Sequence, residues 1–316
     1  MIYNALVRKS TGSWYEVETP QGERLNCRIQ GKFKLQGFKL TNPVAVGDYV
    51  DIELENTGEN TAVIKNIHKR KNYVVRQSPR KKHFLHLLAA NIDQAILIVT
   101  INYPKLKQGF IDRFLVMTEP YDIPVSIIFN KVDLYDDRDM AMYNYLKEIY
   151  TKIGYQCILT SAKDESGLEL FKDILRDKTS LVAGQSGVGK SSLINAIQKD
   201  LNLKTKSLSK YTGKGQHTTT YAEMFDLDFG AKIIDTPGIK NLSFNNLEVL
   251  DVAHNFREFF EKSKECKYSN CTHRNEPDCA VKEALETGEI SELRYLNYIQ
   301  ILDEIESQNY WERHKM

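Results

Sequence analysis

The sequence predicts a multidomain chain in three parts. These are an N-terminal OB-type β-barrel, a central α/β P-loop fold with circularly permuted motif order, and a C-terminal helical zinc-binding domain. Three observations carry this reading. Residues 1–73 alternate short β-patterned runs with turn residues. Residues 184–191 read Gly-Gln-Ser-Gly-Val-Gly-Lys-Ser, which fits G-x-x-x-x-G-K-[ST] at every fixed position. Cys266, Cys271, His273 and Cys279 fall within fourteen residues. The expected boundaries are 1–73 for the barrel, 74–244 for the nucleotide fold with a basic connecting arm at 74–91, and 245–316 for the metal domain.

The composition bounds the class. The chain has 316 residues, 41% hydrophobic and 27% charged, enough for several domains with a sizeable core. No apolar run approaches the length of a membrane span, and Met1-Ile2-Tyr3-Asn4 does not begin an export signal. A cytoplasmic location with no membrane partner is therefore expected, and a monomer is the expected state. Five cysteines are too few for a disulfide scaffold. Cys27 and Cys157 stand alone and read as core residues. The net charge of +1 hides an asymmetry. From Asn60 to Ile92 there is no Asp or Glu, while Lys65, Lys69, Arg70, Lys71, Arg76, Arg80, Lys81 and Lys82 occur there. Such a run is either a footprint for RNA or a basic linker.

In the barrel, strands are expected at 2–8, 13–18, 24–29, 49–54 and 61–67. Alternation is plainest in Tyr49-Val50-Asp51-Ile52-Glu53-Leu54, after the Gly47-Asp48 turn. Small barrels of this kind bind irregular nucleic acid through basic and aromatic side chains. Lys32, Phe33, Lys34, Phe38 and Lys39 supply that mixture on one loop.

From residue 92 onward, strands and helices alternate, as in a mostly parallel sheet. Strands are expected at 95–99, 125–129, 156–160, 181–183, 220–226 and 231–234, with helices at 108–119, 140–153 and 168–175 between them. The P-loop residues Gly184, Gln185, Ser186, Gly187, Val188, Gly189, Lys190, Ser191 and Ser192 lie between a strand and a helix, as phosphate binding requires. Lys190 is expected on the β- and γ-phosphates, and Ser191 on Mg²⁺.

Asn130-Lys131-Val132-Asp133 ends the second of these strands and matches N-K-x-D. An aspartate here accepts two hydrogen bonds from guanine, a donor pair that adenine lacks. A buried carboxylate in that position discriminates by roughly 10⁴ or more. The Lys131 stem is expected along the base plane, and Asn130 is expected to tie its loop to the P-loop. Thr160-Ser161-Ala162-Lys163 follows the next strand and suits a second guanine contact, carried by Ser161, Ala162 and Lys163. Asp235-Thr236-Pro237-Gly238 follows another apolar run: Asp235 is expected to hold Mg²⁺ through water, and the Gly238 N–H to sense the γ-phosphate. Among Thr218, Thr219 and Thr220, Thr219 is the expected Mg²⁺ ligand.

These motifs predict a GTPase in the central part, with Mg²⁺ expected alongside GTP. Their order is rotated, because the base-reading segments at 130 and 161 precede the P-loop at 184. The segment after Asp235 therefore runs directly into the C-terminal part. A glutamine often follows the D-x-x-G glycine and orients the attacking water; here that position is Ile239, so intrinsic turnover is expected to be slow. His217 is the candidate to place the water, or it only hydrogen-bonds its own loop.

In the C-terminal quarter, C-x₄-C-x-H-x₅-C can form a closed tetrahedral Zn²⁺ site, structural rather than catalytic; the alternative is a set of buried cysteines. Helices are expected at 248–262, 280–285 and 291–307. Lys262, Lys264, Lys267 and Arg274 make the surroundings basic.

Assembled, the chain resembles the RsgA family (also called YjeQ or YloQ), circularly permuted bacterial GTPases. The likeness covers all three parts and includes Gly213-Lys214-Gly215-Gln216-His217-Thr218-Thr219, which follows the family's G-x-G-x-H-T-T pattern. It implies GTP hydrolysis stimulated by the small ribosomal subunit, binding to its rRNA, and a role in late subunit maturation in which hydrolysis times release. The other reading is a GTP-gated RNA-binding scaffold whose own hydrolysis is incidental. The arm departs slightly from the family pattern, with Gln77-Ser78-Pro79-Arg80 followed by Lys81-Lys82-His83.

Overall fold

The computed structural model describes residues 2–29, 42–55, 60–77, 85–201, 203, 221–236 and 247–313, with backbone only at 76–77 and 308–313. The barrel loop at 32–39, the arm residues Arg80, Lys81 and Lys82, and the segment carrying His217, Thr218 and Thr219 lie outside the described residues, as do Gly238 and Ile239.

Five strands build the barrel: β1 (Ile2–Ser10), β2 (Tyr15–Glu18), β3 (Arg24–Ile29), β4 (Tyr49–Leu54) and β5 (Thr61–Ile67). Their order is β1-β2-β3-β5-β4, and β4 pairs back onto β1, closing the barrel. β3 and β5 run parallel; the other pairs are antiparallel. Alternation places Val7, Val17, Cys27, Val50, Ile52, Ala62 and Ile64 inside, each fully buried.

The basic arm is more structured than its composition predicts. β6 (Tyr73–Gln77) and β7 (Leu85–Ala90) form an antiparallel hairpin. Its apolar residues Val75, Leu85, Leu87 and Ala90 pack on Ala45. The basic stretch is also less free than expected. Arg70 is buried against Asp48, with Nε 2.6 Å from Oδ1. Lys65 pairs with Glu53, and Lys71 with Asp93 at 3.3 Å. The counter-charges come from outside 60–92, so a scan of that window misses them.

The nucleotide fold contributes β8 (Gln94–Val99), α1 (Phe110–Thr118), β9 (Val125–Asn130), α2 (Asp137–Lys152), β10 (Gln156–Thr160), α3 (Leu168–Leu175), β11 (Thr179–Gly184), α4 (Lys190–Ile197), β12 (Ala222–Asp226) and β13 (Lys232–Asp235). The order β10-β9-β8-β11-β13 is parallel throughout, and β12 is antiparallel to β13. All six residues of β8 and of β9 are buried, as a strand covered on both faces requires. β12 then pairs with β1 through Lys9↔Glu223 and Ser10↔Ala222, so barrel and nucleotide sheet form one continuous ladder.

The C-terminal part holds α5 (Val249–His254), α6 (Arg257–Ser263), α7 (Ala280–Glu286) and α8 (Glu292–Arg313). The single helix expected at 248–262 is two helices. The chain breaks at Phe256, which is extended (φ −101°, ψ 105°) and fully buried against Phe259 and Tyr298. Burying that ring outweighs the few tenths of a kcal/mol per residue that continued helix propensity offers.

Candidate nucleotide site and metal centre

Parallel strands bring their C-terminal ends to one edge of the sheet, where ligands of open α/β folds bind. The loops after β9, β10, β11 and β13 meet there, although 105 residue numbers separate Asn130 from Asp235.

The P-loop needs glycine at two points. At Gly184 φ is +150°, and an added Cβ would lie 2.2 Å from the Ile98 carbonyl oxygen. At Gly189 φ is +91°, and a Cβ would lie 2.6 Å from Asn130 Nδ2. That Nδ2 donates to the Val188 carbonyl at 2.8 Å, which is the expected tie between the base-reading loop and the P-loop. Asn130 is itself held by Thr160, whose Oγ1 donates to Asn130 Oδ1 at 3.1 Å. Thr160 opens the segment expected to make the second guanine contact; its side chain instead braces Asn130.

Lys131 takes a left-handed conformation (φ 67°) and directs Nζ to the carbonyls of Gly187 (2.6 Å) and Tyr103 (2.7 Å). Asp133 follows in a short 3₁₀ turn, Val132–Leu134, its side chain 12% exposed. Its Oδ1 accepts from Ser161 Oγ at 2.8 Å, and Lys163 Nζ lies 3.8 Å from Oδ2. Ser161 Oγ in turn accepts the N–H groups of Lys163 and Asp164, which shapes the turn through Ala162. Lys163 itself is largely exposed.

Lys190 opens α4 and donates to the carbonyls of Gly184 and Gln185, both at 3.0 Å. Burial pulls its pKa below the usual lysine value, while the charge of Asp235 opposes that shift. Val188 is buried in the core under the loop, and Ser186 and Gly187 are exposed above it. Ser191 and Ser192 occupy the first turn of α4. Asp235 and Thr236 are buried at the end of β13. Thr236 Oγ1 has no hydrogen-bond partner among the described residues. Hydroxyl and carboxylate oxygens of this kind fit a hard cation such as Mg²⁺.

The second centre is compact. One ligand atom each from Cys266, Cys271, His273 and Cys279 lies within 4.8 Å of all the others. Cys266 Sγ is 4.0 Å from Cys279 Sγ, and His273 Nδ1 is 3.8 and 3.5 Å from those sulfurs. A tetrahedral Zn²⁺ with bonds of about 2.3 Å to sulfur and 2.0–2.1 Å to nitrogen has ligand–ligand edges of about 3.5–3.8 Å, so the cluster fits a structural zinc site. His273 has φ 58° and is 1% exposed. The backbone of this turn is held from α8: Tyr298 Oη donates to the Thr272 carbonyl and Tyr295 Oη to the His273 carbonyl, both at 2.8 Å. Glu276 completes the turn, accepting from Thr272 N, Thr272 Oγ1, Arg274 N and Asn275 N. Burial alone would raise its pKa; those bonds hold it at about 2. Glu276 carries no metal-ligand spacing and was invisible in the sequence. The basic surroundings expected here are neutralised: Lys262 pairs with Glu289, Lys264 with Glu261, Lys267 with Asp278 and Arg274 with Glu306.

Comparison with known proteins supplies the family. The RsgA GTPase model matches residues 67–245, and the RsgA N-terminal domain model matches residues 5–64. The small ribosomal subunit biogenesis GTPase RsgA of Christiangramia forsetii is 50% identical over 305 residues, covering 96% of each chain. Its counterpart from Phocaeicola vulgatus is also 50% identical over 305 residues, covering 96% of this chain and 98% of its own. The crystal structure of YjeQ from Thermotoga maritima aligns with a TM-score of 0.75 at 38% identity, covering 96% of this chain and 99% of that one. The crystal structure of YloQ, a circularly permuted GTPase, aligns with a TM-score of 0.70 at 32% identity, covering 98% of this chain and 96% of that one. This chain therefore belongs to the RsgA GTPase family.

Proposed function

We propose that this chain hydrolyses GTP in late maturation of the small ribosomal subunit, that the subunit and its rRNA stimulate turnover, and that hydrolysis times release. The observation that carries the reading is the Asn130–Val188 bond, which joins a guanine-reading loop to a phosphate-binding loop at one sheet edge. The names of the relatives from Christiangramia forsetii and Phocaeicola vulgatus supply the ribosomal context. GTP and GDP are the nucleotide partners. The site comprises Asn130, Lys131, Val132 and Asp133 with Ser161, Ala162 and Lys163 on the base. Gly184 through Ser192, with Asp235 and Gly238, are on the phosphates. The functional units are 1–73, 74–244 and 245–316, acting as a cytoplasmic monomer; among the described residues no helix is long and apolar enough to cross a membrane.

Magnesium bound with GTP neutralises phosphate charge, and Ser191, Thr219 and Asp235 (through water) would hold it. Lys190 supplies a second, fixed positive charge. His217 is the residue that orients the attacking water, since a neutral imidazole can accept a proton at pH 7. The test is GTP turnover with and without purified small subunits, for the parent and for His217→Ala. The parent is expected to be stimulated by at least about tenfold, or 1.4 kcal/mol of barrier, and the variant to bind nucleotide and subunit but respond little. A parent unaffected by subunits overturns the stimulated-GTPase reading in favour of a GTP-gated scaffold.

A further inference from the structure

The loop that leaves β8, residues 100–104, belongs to none of the nucleotide motifs, yet it stands at the switch point of the sheet. β8 has β9 on one side and β11 on the other, so the loop lies between the guanine-reading loop and the P-loop. It is bound to its neighbours at three points. The Tyr103 carbonyl accepts from Lys131 Nζ at 2.7 Å. The Ile101 N–H donates to Tyr135 Oη at 3.1 Å. Asn102 Nδ2 donates to Asp139 Oδ1 on α2. The Tyr135 hydroxyl donates in turn to the Asn130 carbonyl at 3.1 Å, so both its donor and its acceptor capacity are committed. Burial pushes the Tyr135 pKa up to about 12.

We propose that Tyr135 is a positioning residue of the nucleotide site: its hydroxyl bolts loop 100–104 to the guanine-reading loop, so that the Tyr103 carbonyl and the Gly187 carbonyl together fix the Lys131 side chain along the base plane. This rests on the guanine reading of Asp133. A lysine stem has several rotatable bonds, and ordering it costs up to about 2 kcal/mol of rotamer entropy. Two carbonyls on its ammonium meet that cost before nucleotide arrives, which is how a supporting layer preorganises a site. Without the hydroxyl, the Ile101 N–H loses its acceptor in a residue that is 7% exposed, and the carbonyl two residues on loses its register. Lys131 then keeps only Gly187.

The experiment measures GDP affinity with a fluorescent GDP analogue for the parent, Tyr135→Phe, Lys131→Met and the double variant. Tyr135→Phe is expected to weaken GDP by about 5–20-fold and to raise KM for GTP similarly, with intrinsic kcat within about twofold. In the Lys131→Met background, Tyr135→Phe is expected to cost less than about twofold, since the residue it positions is gone. Independent, additive losses overturn the proposal. So does unchanged GDP affinity accompanied by a lower unfolding midpoint of the nucleotide-free protein, the outcome a merely structural tyrosine gives. Should Tyr135→Phe fail to fold, Asn102→Ser releases the same loop from Asp139 and is expected to weaken GDP in the same direction; unaltered affinity there also overturns it. A parent that binds ADP as tightly as GDP defeats the guanine reading itself, whereas a guanine-selective parent matched by Tyr135→Phe defeats only this inference.

Discussion

In the proposed reading Asp133 selects the base, and its surroundings suit that role. One carboxylate oxygen is occupied by the Ser161 hydroxyl at 2.8 Å, and the exposed Lys163 ammonium stays 3.8 Å from the other. Asp133→Asn can therefore keep its amide oxygen on Ser161 and turn its NH₂ towards the base. An amide there donates where guanine also donates, but it matches the carbonyl that xanthine carries at the same ring position. The expected outcome is a fall in GTP affinity of roughly two orders of magnitude or more and a reversal of preference towards XTP, read by competition against a fluorescent guanine nucleotide. Retained GTP preference would remove Asp133 from base recognition. At this scale the motif residues were legible, because each is fixed by local spacing: N-K-x-D and G-x-x-x-x-G-K-S specify backbone loops as much as side chains. Tyr135 and Glu276 were not legible. Each acts by hydrogen-bonding a backbone or side-chain atom already in place, and any of several polar residues could do so at the level of sequence pattern.

At the scale of elements, periodicity located nearly every strand, and the errors have physical causes. The helix expected at 248–262 breaks at Phe256, where burial of a ring among Phe259, Tyr298 and Arg294 overrides a continuous helical pattern. The hairpin of β6 and β7 was hidden by its charge, since a window of lysines and arginines reads as an RNA footprint or a linker whatever its apolar residues do. The turn from Cys266 to Cys279 is the reverse case, legible because four ligands must fall within one coordination sphere. It carries little regular structure, yet one ligand atom from each of the four residues lies within 4.8 Å of the others. Metal binding there is expected to contribute roughly 10–16 kcal/mol of apparent energy to local folding. Elemental analysis should give one zinc per chain. Removing it with a chelator should make Cys266, Cys271 and Cys279 reactive while Cys27 and Cys157, both buried in apolar cores, stay protected. Zinc-free protein with those three thiols already reactive in the native state would count against a metal site.

At the scale of the molecule, the parts are joined by contacts that no local pattern announces. Arg8 of the barrel is buried and bonds Asp226 of the nucleotide sheet, 218 positions away, beside the β1–β12 ladder. Arg294 of α8 does the same between the nucleotide fold and the metal domain. Its side chain is 2% exposed, with Nη1 2.6 Å from Asp112 Oδ1 on α1, and with Nε and Nη2 at 2.7 and 2.8 Å from the Glu258 carboxylate on α6. Burial opposes its charge, but the two carboxylates outweigh burial and hold it protonated. Asn297 donates to the other Asp112 oxygen, and Tyr150 Oη to the first, so both oxygens of the fully buried Asp112 are hydrogen-bonded. Replacing one member alone leaves uncompensated charge in the interior, which costs about 3–5 kcal/mol, whereas replacing the set by neutral groups costs far less. Arg294→Met is therefore expected to lower stability by that amount in urea unfolding, and Asp112→Asn in the same chain to recover part of it. The loss should appear first as separation of the metal domain, with thiol exposure of the zinc cluster preceding loss of GDP binding as urea rises. Because α1 begins six residues after loop 100–104 ends, the same variant should also weaken GDP modestly, by less than Tyr135→Phe does. If Arg294→Met costs under about 1 kcal/mol, the two parts are held by apolar packing of Phe256, Tyr298 and Ile301, and the buried charges only select how the surfaces register.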